Sequence, residues 1–179
     1  ASCASQPTCT VTVDSGANQS ISATFQQSVA QTTNITLGLQ RGSNDNEEFM
    51  SEWNYENYVN SSDLEFFSDG PDEQTVGLRF PSSGIPVWAT IESAVLVFHI
   101  DTRYSGAVTA KVRGEKEDSG EFKSVDGEMR SRTRTSSSVN WSVGGSGAVS
   151  GTKVTSNDIS AVINEIVAHP NWSSSKAIT

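Results

Sequence analysis

Alternation of apolar and polar positions with a period of two runs along most of the chain, the signature of half-buried β-strands. Val11 and Val13 alternate with threonines. Ile21, Ala23 and Phe25 do the same, followed by Ile35, Leu37 and Leu39. Leu64 with Phe66 reads as a short strand, and Val76, Leu78 and Phe80 set Arg79 outward. Val108, Ala110 and Val112 alternate with Thr109 and Lys111; Val139, Trp141 and Val143 alternate with Asn140 and Ser142. From Ala94 to Ile100 both sets of positions are apolar or nearly so, which predicts a central strand covered on two sides, with His99 in the core. One segment has helical spacing. Ile159, Val162, Ile163, Ile166 and Val167 fall on one stripe, Thr155 with Asp158 resembles a capping box, and Pro170 ends it. About eight short strands with turn-rich connections and one C-terminal amphipathic helix predict an all-β fold, a jelly-roll-like β-sandwich. With 179 residues, no internal repeat and no long linker, residues 1–179 read as one domain.

Composition sharpens this picture. Ser and Thr together supply 45 of the 179 residues, so the surface is polar and uncharged over much of its area. The formal net charge of −9 argues against a nucleic-acid-binding face and against docking on anionic lipid. The longest apolar run, Ala94 to Phe98, is too short to span a bilayer. A start at Ala1 rather than Met suggests that a signal peptide has been removed. Cys3 and Cys9 flank Pro7 near this end and suggest a disulfide loop within segment 1–14, worth about 2 kcal/mol on the chain-entropy model. Five sites have the N-x-S/T pattern, at Asn18, Asn34, Asn60, Asn140 and Asn171, and the strand register turns Asn34 and Asn140 to solvent. Together these features predict an extracellular, secreted glycoprotein.

Charge is segregated. Ten carboxylates and no basic residue lie between Arg41 and Arg79, whereas seven of the twelve basic residues lie from Lys111 to Arg134. Arg130, Arg132 and Arg134 share one face if that segment is extended. They form either a solvated strand face or a surface complementary to the acidic loop of a neighbouring molecule. The acidic stretches Asn44–Glu48 and Ser62–Glu65 offer the oxygen donors that Ca²⁺ takes in numbers of six to eight, although the EF-hand spacing is absent. Trp53, Tyr55 and Tyr58 sit in the same region and could stack on sugar rings. Trp88, Trp141 and Trp172 read as core or near-core. Catalysis finds little support: there are two histidines, no nucleophile elbow, no zinc-protease motif and no P-loop, which leaves only a glycosidase-type carboxylate pair.

Several phrases occur together: Asn46-Glu47-Glu48, Ser62-Asp63-Leu64-Glu65, Val76-Gly77-Leu78-Arg79-Phe80, and Ile85-Pro86 before Ala89-Thr90-Ile91-Glu92-Ser93-Ala94. Downstream stand Ser131-Arg132-Thr133-Arg134-Thr135, Val139-Asn140-Trp141 and His169-Pro170-Asn171-Trp172. Over residues 43–176 the chain resembles extracellular jelly-roll modules of the disaggregatase-repeat and DNRLRE type. The resemblance implies a non-catalytic module, some of whose kind bind carbohydrate or calcium, with Asp45, Glu47, Glu48, Asp63 and Glu65 as cation ligands. Such modules continue past the helix with closing strands. The expectation is therefore that the sheet is completed from elsewhere, by the Thr8–Val13 segment or by strand donation between copies. The function expected is a structural building block of an extracellular fibre, sheath or matrix, assembled as a homopolymer. The alternative is a carbohydrate-binding module of a larger secreted protein.

Overall fold

The computed structural model describes residues 32–40, 42–51, 54–61, 63–65, 68–69, 72–102, 106–143 and 149–179. The chain divides into two units, Ala1–Ile35 and Thr36–Thr179, and the architecture below is that of the second. Its elements are β1 (Asp45–Ser51), β2 (Asn54–Val59), β3 (Ser68–Asp69), β4 (Asp72–Leu78), β5 (Val97–His99), β6 (Val108–Val112), α1 (Glu128–Ser131), β7 (Val139–Val143), β8 (Lys153–Thr155) and α2 (Ser160–Val167). Among the described residues the strands pair antiparallel in three sheets, ordered β2-β1-β4-β3, β5-β8 and β6-β7. Among the described residues the fold is strand-rich, as the period-two pattern predicts, with two short helices where the sequence indicates one.

The main core gathers around α2. Val162, Ile163, Ile166 and Val167 are buried on one stripe of this helix, with Ile159 just before it. They pack with Ile85, Trp172 and Ile178, and with the half-buried Leu37, Ile91, Leu96, Val112 and Val139. Burial of such side chains is the main stabilising term, worth about 1.5–3 kcal/mol each. Polar side chains fix the helix against the 91–94 segment that precedes β5. Asn164 accepts from the Ile91 N–H and donates to the Ile91 carbonyl, both at 2.9 Å. The Asp158 carboxylate accepts from the Ala94 and Ser160 N–H groups. Asp158 thus bonds the first residue of α2 from just outside its N-cap, Ile159, and Thr155, the expected partner of a capping box, lies in β8 instead.

Glu165 leaves the other side of α2 and accepts from the Ser136 and Ser137 N–H groups at 2.8 and 2.7 Å, with Lys116 3.3 Å away. These bonds, led by the Ser136 N–H, hold its carboxyl pKa down at about 2 from an ordinary 4.5. A lowered carboxylate pKa gives stability that is complete above the ordinary value and disappears as pH falls through the folded one. The thermal midpoint of the wild type should therefore exceed that of Glu165→Gln by a constant amount above about pH 5. The gap should close between about pH 4.5 and 2; a gap independent of pH would remove the clamp.

Several expected elements differ. Residues 94–100 do not form a strand buried on both faces. Ala94, Leu96, Phe98 and Ile100 are half-buried, while Val95, Val97 and His99 are exposed. α2 and Trp141 cover one face only, Phe98 stacking on Trp141 at 5.6 Å. His99 is accordingly an exposed residue, not a core histidine. Trp88 is 78% exposed, whereas Trp141 and Trp172 are buried. It occupies the third position of the Pro86–Ala89 turn, closed by Ala89 N–H to Pro86 carbonyl at 3.2 Å, and has φ +69°. That turn directs the ring outward at a backbone cost of about 1 kcal/mol or more. Residues 34–40 alternate but pair with no strand among the described residues. At the other end of the chain, Ile178 bridges Phe80, and the Thr179 carbonyl accepts from Glu115 N–H at 2.9 Å, which ties the C-terminal segment to the fold.

Candidate functional site

The acidic stretch forms a strand, not a loop. Asn44 through Glu48 are all buried, and β1 lies between β2 and β4 in the four-stranded sheet. Its register sets Glu47 opposite Tyr58 and Val76, and Glu48 opposite Asn57 and Thr75. Alternation therefore sends Glu47 and Glu48 to opposite faces.

On the Glu48 face the sheet is roofed by Phe122, α1 and the arginines around it. Gly77 permits this close approach: a Cβ there would come within 2.5 Å of Met129 Sδ and 2.6 Å of Phe122 Cζ. The fully buried Glu48 accepts from the Met129 N–H at 3.1 Å and pairs with Arg130 Nε at 3.2 Å. Arg130 also lies 4.4 Å over the Tyr55 ring, which covers that candidate sugar platform. Beside Glu48 the fully buried Asn46 amide has no protein hydrogen-bond partner.

Arg132 is the centre of this roof. Its Nε–H donates to Glu128 at 3.0 Å, and its remaining donors reach Glu115 at 2.8 Å, Glu128 at 2.7 Å, and the Gly120 and Glu121 carbonyls. The guanidinium also stacks on Phe122 at 4.5 Å. Burial alone would lower its pKa, but the bonds from Glu128 and Glu115 outweigh that and raise it. The expected common face of Arg130, Arg132 and Arg134 does not form. Residues 128–131 make a helical turn, so Arg132 goes inward while Arg130 remains exposed.

On the Glu47 face, Glu47 accepts a hydrogen bond from the Glu65 N–H, which brings Glu65 to the strand. Burial raises the Glu47 pKa more than the bond from Glu65 lowers it, and the charges of Glu65 and Asp63 add to the rise. Asp63 and Glu65 are exposed. Tyr58 is half exposed, stacked on Phe49 at 5.6 Å, and its hydroxyl donates to Glu56 at 2.9 Å.

Of the five expected cation ligands, Glu47, Asp63 and Glu65 are neighbours, Asp45 is buried in β1, and Glu48 belongs to the opposite face with the arginines. Among the described residues no group of three His, Cys, Asp or Glu side chains is placed to hold a metal ion. Asn34, Asn60, Asn140 and Asn171 are all exposed. Trp53, Asn18, Cys3 and Cys9 lie outside the described residues, as do segment 1–14 and the Thr8–Val13 strand. Sequence reading missed the buried role of Arg132 and the outward Trp88. The i, i+4 spacing of Glu128 and Arg132 was a usable signal for the first. No helix among the described residues is long and apolar enough to cross a membrane. Compared with family models, curated proteins and solved structures, the chain has no match.

Proposed function

We propose that the chain is a non-catalytic structural glycoprotein module of an extracellular assembly, with a jelly-roll-like sandwich as its architecture. The observation that carries this reading is how its ionisable groups are used. Arg132, Glu115, Glu128, Glu48 and Arg79 are engaged in bonds that hold the fold, while the four described sequon asparagines lie exposed. A module built this way presents a hydroxyl-rich, glycan-bearing surface around an internally braced frame. The antiparallel sheets, with β2 at one end of the four-stranded order among the described residues, support the sandwich and its use in assembly. Tyr58 and Trp88 favour carbohydrate binding as a second activity, since each offers an exposed aromatic face.

Secretion from a eukaryotic host tests the glycoprotein claim. Intact mass spectrometry before and after endoglycosidase should show glycan on Asn34, Asn60, Asn140 or Asn171, removed by a quadruple Asn→Gln variant. Secreted chain bearing no glycan at any of the four would refute it.

A further inference from the structure

The two sides of the β2-β1-β4-β3 sheet carry opposite charge. On the Glu48 side stand Arg113, Arg130 and Arg134. Arg113 is exposed just past β6, and the Arg130 side chain is 41% exposed over Tyr55. Arg134 lies between them, donating to the Met129 carbonyl at 3.0 Å. Burial first, then the Arg113 charge, lowers the Arg134 pKa, and Arg130 adds to this, so Arg134 feels the charge of both neighbours. Glu48 opposes them with one buried carboxylate, and the nearby Glu115 is committed to Arg132. The patch is therefore net positive.

On the Glu47 side, Glu47 lies opposite the half-exposed Tyr58 and Tyr58 bonds Glu56, while the charges of Asp63 and Glu65 act on Glu47, and the sequence from 42 to 78 contains no Lys or Arg. This patch is net negative. Because Glu47 and Glu48 are consecutive on one strand, the two patches point in opposite directions and cannot satisfy each other within a copy.

We propose that the arginine patch of one copy docks on the Tyr58–Glu65 patch of the next. This rests on the assembly reading above and specifies its contact. Like patches repel, which disfavours a two-fold dimer through either face. Opposite patches attract, and an arginine can stack on Tyr58 while pairing with Glu65 or Glu56. Such a heterologous contact leaves one free patch of each sign at the two ends, so addition continues.

Sedimentation velocity of the full glycosylated chain at about 0.1 M salt, where screening acts beyond roughly 10 Å, tests the contact. The wild type should associate. Arg113→Glu and Glu65→Arg, both exposed and outside the bonds that brace the fold, should each raise the dissociation constant about tenfold or more. An equimolar mixture of the two variants should regain wild-type association, because each supplies the face that complements the other. Arg113→Gln should weaken association less than Arg113→Glu while keeping the thermal midpoint. If both reversed variants associate as the wild type does, assembly stands and these faces are not its contact. If the mixture remains dissociated, the two patches do not meet. A monomeric wild type would overturn the contact and the assembly reading together.

Discussion

Arg132→Ala lowers the stability of the domain by about 3–5 kcal/mol, the cost of removing one partner from a buried ion pair. That is a third or more of the total for many domains, which fall near 5–15 kcal/mol. The reason is what the substitution leaves behind. Glu115 is 5% exposed and would be left without its guanidinium partner, and the Gly120 and Glu121 carbonyls would lose their donors. Phe122 would lose the plane that stacks on it. Lysine cannot replace this geometry, since a single ammonium has three donors and no planar fork. Arg132→Lys should recover only a minor part of the loss. Denaturant unfolding with both variants measures this; a loss below about 1 kcal/mol for the alanine variant would show that the network contributes no more than surface pairs do.

Arg130→Ala is the second large effect, about 2–4 kcal/mol, even though Arg130 itself is partly exposed. Its partner is the fully buried Glu48, which would retain the Met129 N–H but lose its nearest counter-charge. The cost comes from the stranded carboxylate rather than from the lost contact. A double variant, Glu48→Leu with Arg130→Ala, should therefore recover most of the stability, because the replaced pair leaves no charge behind. Equal losses in the single and double variants would mean that Glu48 is held by the backbone alone.

These two residues also show how much the sequence told. Strands β4, β6 and β7 and helix α2 were legible because apolar residues mark their buried faces at the right period. β1 was not. Its sequence, Asp-Asn-Glu-Glu-Phe-Met-Ser, has the composition of a solvated or metal-binding loop, and it is buried only because arginines distant in sequence cover one face. Local pattern cannot report a neutralising partner 82 residues away, as Arg130 is from Glu48. The arginine segment failed for the complementary reason. Spacing by two implied an extended face, but a single helical turn at 128–131 re-phased it and turned Arg132 inward. Trp88 was misplaced because hydrophobicity predicts burial, whereas a turn with positive φ decided its direction. The exposed Asn140 was legible, since alternation in β7 sets it opposite the half-buried Val139 and buried Trp141, whereas Asn34 is exposed along with its apolar neighbour Ile35 and outside any strand.

A chain that builds an extracellular assembly by repeating one contact should form filaments at high concentration. Electron microscopy of the secreted, glycosylated full chain, concentrated at about 0.1 M salt where surface charges still act over roughly 10 Å, addresses it directly. The account predicts regular filaments with an axial repeat of about one domain. Dispersed single particles at every concentration would contradict it.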